Sequence, residues 1–218
     1  MIKNVLINNS MKYKLIIFDF DGTLADSFEW FINVMDKAAE KYHFKKVEKN
    51  NIKTLRNSDA EEMIRYHRIS YWKLPFIGKY LRKLMAEEIS RISLFEGVDK
   101  VLKELSDQGF ILALVTSNLH YNVYKILGPA NSTLIKYYEY GVPIFGKASR
   151  IKRVLKKSGV KNTETILIGD EIRDIEAARK AKIKFGAVSW GYTNLEALKA
   201  HFPDEIFNNV EEIIEKIL

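Results

Sequence analysis

The apolar residues of this chain follow two different spacings. Short continuous apolar runs occur at Leu15–Phe18, Ile111–Val115 and Thr165–Ile168, and polar residues follow each of them closely. Runs of this length are typical of strands that are buried on both faces, as in a parallel sheet. Apolar residues recur at helical spacing within Val98–Leu105 and again within Val210–Ile217. Strands that alternate with helices predict an α/β fold, with a doubly wound parallel sheet and helices on both of its faces.

Residues 27–93 lack this strand signal. Six apolar residues in the first part of the stretch fall on one face of a helix, a second helical pattern surrounds Met63, and a further one covers Phe76–Ile92. We therefore expect an all-helical insert after the first strand. By analogy with lids that close to exclude water, its junctions near Ala25–Ser27 and Leu94–Gly97 are the expected hinges. The residues on the first helical face are Phe28, Phe31, Ile32, Met35, Ala39 and Tyr42.

Two acidic residues follow the first apolar run directly. Asp19 and Asp21 are two residues apart, and Gly22 lets the backbone turn immediately after them. Parallel sheets bind ligands beyond the carboxyl ends of their strands, so both carboxylates are expected at such a site. One of two carboxylates in a cleft can act as nucleophile or metal ligand while the other transfers a proton. The alternative is an acidic turn that merely closes a strand.

Polar residues also follow the later apolar runs. Thr116–Asn118 comes after the second run and Gly169–Asp170 ends the third, while Lys147 opens a helical stretch between them. Hydroxyl, ammonium and carboxylate groups of this kind are what a phosphate site with a metal ion requires. Each group also has a plainer interpretation. The hydroxyls could cap a helix, the lysine could lie on the surface, and the acids, Asp174 included, could favour a helix N-terminus.

Taken in order, these stretches resemble the four motifs of the haloacid dehalogenase-like (HAD) superfamily. They are Asp19-Phe20-Asp21-Gly22-Thr23, then Thr116-Ser117-Asn118, then Lys147, then Gly169-Asp170-Glu171-Ile172-Arg173-Asp174. Within the superfamily the chain is similar to small phosphatases of the phosphoglycolate phosphatase type, from Lys12 to Leu218 and including Val188-Ser189-Trp190-Gly191-Tyr192. The resemblance implies a Rossmann-like core domain of residues 1–26 and 94–218. It also implies a helical C1-type cap domain of residues 27–93.

The resemblance also implies a role for each motif position. Asp19 would be the nucleophile that attacks phosphorus, and Asp21 would protonate the leaving alcohol and later accept a proton from water. Mg²⁺ would be held by Asp19, Asp170 and the backbone carbonyl of Asp21. Lys147 would supply a second positive charge to the phosphoryl oxygens, and the hydroxyl of Thr116 would help to cradle them.

Supporting and substrate-binding residues complete the implied site. Asp174 would hold Lys147 or a metal-bound water, and Glu171 would add a carboxylate near the metal. The chain departs from the common family pattern at Glu171 and at Ala148, where the family often has proline. The expected substrate-binding residues are Phe20, Arg56, Ser117 and Asn118.

The reaction type depends on the second acid of the first motif. Dehalogenases of the family lack it, so Asp21 favours phosphoryl transfer, and the Asp-Lys-Thr-Gly-Thr version of the P-type ATPases is absent. A phosphomutase remains an alternative, as does a HAD-fold binding or regulatory protein without turnover. Specificity is expected from the cap loop at Asn50–Ser58, where Arg56 would pair with a second anionic group of the substrate.

Composition and charge exclude further classes. The chain of 218 residues is 47% apolar, enough for one core and a small accessory module, and it contains no cysteine. Disulfides, thiolate nucleophiles and Cys-type zinc sites are therefore excluded. No membrane span or signal peptide is visible, since residues 1–10 have only Val5-Leu6-Ile7 as an apolar stretch, so a cytoplasmic protein is expected. We assign those ten residues no function.

The positive charge is concentrated in the expected cap. Phe28–Ile92 holds 14 Lys and Arg against 9 Asp and Glu, which is +5 of the net +7. A basic module that faces an acidic metal site would attract a small phosphorylated substrate, although an ordinary solvated surface is an equal alternative. We expect no nucleic-acid or membrane partner, and a monomer or a homodimer.

Overall fold

A six-stranded parallel sheet forms the centre of the protein. The computed structural model describes residues 12–48 and 51–218, and the strand order of this sheet is β5-β4-β1-β6-β7-β8. A separate antiparallel pair joins β2 to β3. The strands are β1 (Leu15–Phe18), β2 (Ala25–Asp26), β3 (Ser93–Leu94), β4 (Ile111–Val115), β5 (Ile135–Glu139), β6 (Thr165–Gly169), β7 (Lys184–Val188) and β8 (Glu205–Phe207).

Helices cover both faces of the sheet. Leu15 and Ile17 of β1 pack on one face and Ile16 and Phe18 on the other, because successive strand residues point to opposite sides. The helices are α1 (Phe28–Tyr42), α2 (Ile52–Leu55), α3 (Ala60–Tyr66), α4 (Leu74–Glu87), α5 (Val98–Asp107), α6 (His120–Leu134, kinked at Gly128), α7 (Lys147–Ser158), α8 (Ile172–Ala181), α9 (Leu195–Ala200) and α10 (Glu212–Ile217).

The two faces are covered by different helices. Helices α5, α6 and α10 lie on the side of Phe18, and α7, α8 and α9 lie on the side of Ile17. The prediction of a doubly wound α/β fold is therefore confirmed. No helix within residues 12–48 and 51–218 is long and apolar enough to cross a membrane.

Helices α1 to α4 form the helical segment, which we define as residues 27–93. The two ends of the segment run side by side, because Ala25 pairs with Leu94 and Asp26 with Ser93. The buried face of α1 agrees with the predicted one only in part. Met35 and Ala39 are buried as predicted, whereas Phe28 and Phe31 are partly buried and their rings contact Tyr192, outside the helical segment. The buried residues of α1 are Trp30, Val34, Met35, Ala38 and Ala39.

The central position of β1 determines where a site can form. Phe18 is in register with Leu114 of β4 and Ile168 of β6, so the three strands end together. The chain visits β4 and β5 on one side of β1 before it crosses to β6 on the other side. A reversal of this kind leaves a crevice at the carboxyl edge, where open α/β sheets bind ligands.

Candidate active site

The ends of three neighbouring strands bring polar side chains to one edge of the sheet. Asp19 follows β1, Thr116 follows β4 and Asp170 follows β6, and each is at most 3% exposed. The backbone N–H of Asp19 donates to the carbonyl of Ile168 at 2.9 Å, which continues the sheet ladder to the first acid. The motif residues that the sequence spaces over 150 positions therefore meet at one place.

Lys147 links two buried carboxylates at this edge. It is the first residue of α7, and its Nζ lies 2.8 Å from Oδ2 of Asp19 and 2.5 Å from Oδ1 of Asp174. Burial lowers the pKa of Lys147, but the two carboxylates outweigh that effect and the pKa is raised. The lysine is thus a buried cation, and the predicted contact between Asp174 and Lys147 is present in the structure.

The two carboxylate oxygens of Asp170 accept hydrogen bonds from residues distant in sequence, one before and one after it in the chain. Its Oδ1 accepts a hydrogen bond from the hydroxyl of Thr23 at 2.6 Å, and its Oδ2 accepts from the backbone N–H of Tyr192 at 2.8 Å. A Cβ at Gly22 would lie 2.2 Å from Oδ2 of Asp170, and one at Gly191 would lie 2.1 Å from its Cβ. The two glycines therefore allow the backbone to approach Asp170 closely.

Asp21 has turned away from the lysine. Its carboxylate accepts hydrogen bonds from Nδ2 of Asn118 at 3.1 and 3.3 Å and from the hydroxyl of Ser27 at 3.2 Å. That hydroxyl also lies 3.0 Å from the hydroxyl of Tyr192. Burial raises the pKa of Asp21 to about 6, although the hydrogen bonds from Asn118 and Ser27 favour the charged form. Burial likewise raises the pKa of Asp19 well above its usual range, against the opposing charge of Lys147.

The loop after β4 is arranged around Thr116 and Asn118. The backbone N–H of Asn118 donates to Oγ1 of Thr116 at 3.0 Å, so the hydroxyl proton of Thr116 remains available to another acceptor. Oδ1 of Asn118 accepts from the backbone N–H of Leu119 and from Asn122. Helix α6 begins at His120, so neither Thr116 nor Ser117 caps it.

The side chains of two predicted substrate-binding residues contact the protein itself, and the Glu171 carboxylate, expected near the metal, lies close to Asp170 but is paired with an arginine. The side chain of Phe20 is fully buried in the core, which leaves only its backbone for a substrate. The guanidinium of Arg56, expected to bind substrate, donates to the carbonyls of Gly191 at 2.5 Å and Tyr192 at 3.0 Å. The carboxylate of Glu171 accepts a hydrogen bond from Nη2 of Arg173 at 2.7 Å, so its charge is already paired.

Comparison with known proteins identifies the family. The family model for haloacid dehalogenase-like hydrolases matches residues 16–188, which is more than half of the chain. The chain belongs to this family. The family predicted from the four motifs is therefore confirmed.

Relatives of the chain are phosphatases by name, as predicted. The chain is 25% identical over 203 residues to a phosphoglycolate phosphatase of Synechococcus elongatus, which covers 93% of this chain and 96% of that protein. It is 25% identical over 214 residues to pyrophosphatase PpaX of Oceanobacillus iheyensis, and the match covers 94% of this chain and 96% of that protein. The crystal structure of a predicted phosphatase from Clostridium acetobutylicum has a TM-score of 0.78 at 23% identity, covering 94% of this chain and 98% of that one.

Several residues around the site of this haloacid dehalogenase-like hydrolase were not singled out from the sequence. Thr23, Gly191 and Tyr192 lie within the quoted motif stretches but received no role, although all three contact or crowd Asp170. Ser27 carries no sequence signal beyond its closeness to the first motif. Arg173, which neutralises Glu171, follows that acid by two residues, and a pair of opposite charges at the start of a helix could have revealed it.

The carboxylates of the site fit a divalent metal ion. Asp19, Asp170 and Asp174 are buried and each offers an oxygen within 4.8 Å of the others. Burial and then the neighbouring carboxylates of Glu171, Asp19 and Asp174 raise the pKa of Asp170 far above its usual range. A divalent cation would relieve both effects, and carboxylate oxygens are the donors that Mg²⁺ and similar ions prefer. Asp174 of α8 therefore belongs to this carboxylate cluster. The carboxylate of Asp21 does not, because it accepts a hydrogen bond from Asn118.

Proposed function

We propose that this protein is a Mg²⁺-dependent phosphomonoester hydrolase that acts on a small phosphorylated metabolite through an aspartyl-phosphate. The observation that carries the proposal is the convergence of Asp19, Lys147 and Asp170 at the carboxyl edge of the sheet, with Asp21 two residues beyond the proposed nucleophile. The names of the relatives support a small phosphorylated substrate.

Asp19 is the proposed nucleophile because its carboxylate lies beside Lys147 at the carboxyl edge of the sheet, on a backbone that the sheet ladder holds in place. A carboxylate oxygen of Asp19 attacks phosphorus, the new Asp19–phosphorus bond forms, and the bond from phosphorus to the leaving oxygen breaks. The hydrogen bond from the Asp19 N–H to Ile168 fixes the backbone of the nucleophile in the sheet. Such positioning lowers the entropic cost of reaching the reactive geometry.

Asp21 is the proposed acid and base. It donates a proton to the leaving alcohol oxygen in the first step and takes a proton from the water that attacks the phosphoenzyme in the second. Water then cleaves the Asp19–phosphorus bond and inorganic phosphate leaves. Asn118 and Ser27 orient the Asp21 carboxylate, and burial keeps a protonated fraction near neutral pH because it raises the pKa to about 6.

Charge and hydrogen bonds stabilise the transferring group. Lys147 would donate to a phosphoryl oxygen while Asp174 keeps it in place at 2.5 Å. The free hydroxyl proton of Thr116 and the backbone of Phe20 and Ser117 would contact the remaining oxygens. Asp19, Asp170 and the carbonyl of Asp21 would hold Mg²⁺, which when bound would neutralise phosphoryl charge.

The helical segment is the proposed cap, with residues 1–26 and 94–218 as the proposed core domain. Both crossings between the two parts run through the β2–β3 pair, so a small change there would move the whole segment. The segment already contacts the site, because Nδ2 of Asn118 lies 2.8 Å from Sδ of Met85. Closure of such a lid would exclude water from the site.

Kinetics with a panel of phosphate esters test this proposal. We expect hydrolysis by the wild type that is lost with EDTA and restored by Mg²⁺. Asp19→Asn and Asp21→Asn should each lower kcat by roughly 10³-fold or more, as loss of a nucleophile or its acid does. Asp36→Asn, which makes the same change at an exposed position of α1, is the control and should be as active as the wild type. A fully active Asp19→Asn protein would refute the mechanism.

A further inference from the structure

Ser27 stands at the N-cap position of α1, but its side chain does not cap the helix. A serine at this position usually accepts a hydrogen bond from a backbone N–H of the first turn, which makes serine a favoured N-cap residue. Here the Ser27 hydroxyl instead donates to Oδ1 of Asp21 at 3.2 Å and lies 3.0 Å from the hydroxyl of Tyr192. A local preference of the sequence is given up for a contact with the proposed acid, and such conflicts are expected at functional sites.

The directions of these two hydrogen bonds follow from the number of protons. Ser27 has one hydroxyl proton and an ionised carboxylate can only accept, so that proton points to Asp21. In the contact between the two hydroxyls, Tyr192 is therefore the donor and Ser27 the acceptor. The Tyr192 hydroxyl thus limits the rotation of the Ser27 hydroxyl and keeps its proton on the side of Asp21.

Tyr192 is itself held by contacts with both parts of the protein. The centroid of its ring lies 5.2 Å from that of Phe28 and 5.4 Å from that of Phe31. Its backbone N–H donates to Asp170 at 2.8 Å, and its carbonyl accepts from Nε of Arg56 at 3.0 Å. A residue can position a catalytic group only when packing and hydrogen bonds fix its own side chain. Tyr192 meets this requirement, so its hydroxyl has a defined place beside the proposed acid.

We propose that Tyr192 is a positioning residue for the protonation of the leaving alcohol, acting through Ser27 on Asp21. This inference rests on the proposed function, because Asp21 is taken to be the acid. Without the Tyr192 hydroxyl, the Ser27 side chain is free to rotate toward the N–H groups at the start of α1. Asp21 then loses a donor that holds its carboxylate, and its proton is no longer aimed at the leaving oxygen.

The need for this proton depends on the leaving group. As the bond from phosphorus to the leaving oxygen breaks, the proton of Asp21 passes to that oxygen and the group departs as an alcohol. An alkoxide is too basic to leave readily without the proton, whereas 4-nitrophenolate spreads its charge over the ring and leaves without it. A misdirected Asp21 should therefore slow the hydrolysis of an alkyl phosphate and spare 4-nitrophenyl phosphate. A general disturbance of the site should slow both.

Tyr192→Phe tests the inference, because it removes the hydroxyl and keeps the ring and the backbone N–H. The substrates are 4-nitrobenzyl phosphate and 4-nitrophenyl phosphate, which differ by a methylene group, and the assay is phosphate release by the Mg²⁺-loaded enzyme. The quantity to compare is kcat/KM, because it includes only the steps up to the first irreversible one. We expect kcat/KM to fall by roughly 5- to 10-fold for the benzyl ester, as for one lost hydrogen bond, and by less than about twofold for the phenyl ester.

Ser27→Ala supplies a second variant that acts on the same contact. It removes the donor to Asp21 outright, so it should show the same dependence on the leaving group at least as strongly. If Tyr192 acts through Ser27, adding Tyr192→Phe to Ser27→Ala should not lower kcat/KM any further. A double-mutant cycle on the benzyl ester measures this coupling.

Tyr137→Phe is the matched control. It also removes a single tyrosine hydroxyl, one that donates to the carbonyl of Lys157 at 3.2 Å, between β5 and the end of α7. Its kcat/KM should equal that of the wild type for both esters. Thermal unfolding of every variant excludes a general loss of folded protein.

The outcomes separate the inference from the function it rests on. Equal losses for the two esters in Tyr192→Phe, no loss for either, or additive effects of the Tyr192 and Ser27 substitutions would overturn the inference, while hydrolysis by the wild type would still support the proposed function. Wild-type hydrolysis of the phenyl ester alone would also overturn the inference, because no leaving alcohol would then be protonated. If the wild type hydrolyses neither ester, the proposed function fails for these substrates and the inference fails with it.

Discussion

Gly191 should be more important to activity than to stability. The Cβ of an alanine at this position would lie 2.1 Å from Cβ of Asp170 and 2.5 Å from its Cγ, whereas ordinary van der Waals contact begins at 3.4 Å. The conflict involves the base of the Asp170 side chain, which cannot rotate away. The loop at Gly191 and Asp170 must therefore separate by roughly 1 Å.

The separation should disturb two contacts that converge on this loop. One is the hydrogen bond from the N–H of Tyr192 to Asp170 at 2.8 Å, and the other is the contact from Arg56 to the carbonyl of Gly191. A misplacement of about 1 Å in a catalytic site can cost roughly 10²-fold in rate. For Gly191→Ala we expect kcat to fall by about that factor and the Mg²⁺ concentration for half-maximal activity to rise. The accompanying overpacking should cost about 1–3 kcal/mol of unfolding free energy.

Gly109→Ala is the matched control for this prediction. Gly109 has a φ of +87° and no atom within 4 Å of an added Cβ, so alanine there introduces backbone strain of about 1–2 kcal/mol without a steric conflict. Urea unfolding and steady-state kinetics of both variants separate the two effects. Comparable losses of stability with a loss of activity only in Gly191→Ala would agree with the reasoning. A folded Gly191→Ala protein with wild-type kcat and Mg²⁺ dependence would show that Asp170 does not require this close packing.

Two further predictions concern other buried groups. Lys147→Gln leaves the carboxylates of Asp19 and Asp174 without their cation, so steady-state kinetics should show a fall in kcat rather than a rise in KM. Urea unfolding should show that the free energy of unfolding falls by about 3–5 kcal/mol, and an unchanged value would contradict the pairing. His67 donates from Nδ1 to the carbonyl of Lys45, its Nε2 has no partner among the described residues, and burial lowers its pKa below 6.5. As the pH falls, His67 is therefore protonated in the unfolded chain before it is protonated in the folded one. The contribution of neutral His67 to stability is complete above pH 6.5 and declines as the pH falls below 6.5. His67→Asn, which keeps the donor, should reduce this slope in urea unfolding between pH 5 and 8, and an unchanged slope would contradict it.

The three central strands of the sheet were predictable because they are buried on both faces. A strand in that position is mostly apolar, so β1, β4 and β6 stand out as continuous runs in the sequence, whereas β5, β7 and β8 do not. The residues after those strands were predictable for the same reason, because parallel strands that end in register must bring their following residues together. The positions of Asp19, Thr116 and Asp170 therefore follow from the pattern, and their chemical roles remain predictions.

The helical segment was less predictable because its helices are packed by partners distant in sequence. Helix α1 has aromatic residues on more than one side, and periodicity alone does not say which side meets the core. Trp30 is buried, whereas Phe28 and Phe31 face Tyr192, which lies over 160 positions further along the chain. The same limitation applied to Ser27, whose contact with Asp21 depends on how the chain leaves the first motif.

Arg56 shows why side-chain chemistry in such a segment cannot be derived from charge alone. The sequence favoured Arg56 as a substrate-binding residue because it lies in the expected specificity loop. Folding brings Arg56 to the loop at Gly191, whose carbonyls are not used by any strand and can accept its N–H groups. A guanidinium that donates to backbone carbonyls holds two parts of the protein together, so the positive charge of Arg56 does not by itself predict a contact with substrate.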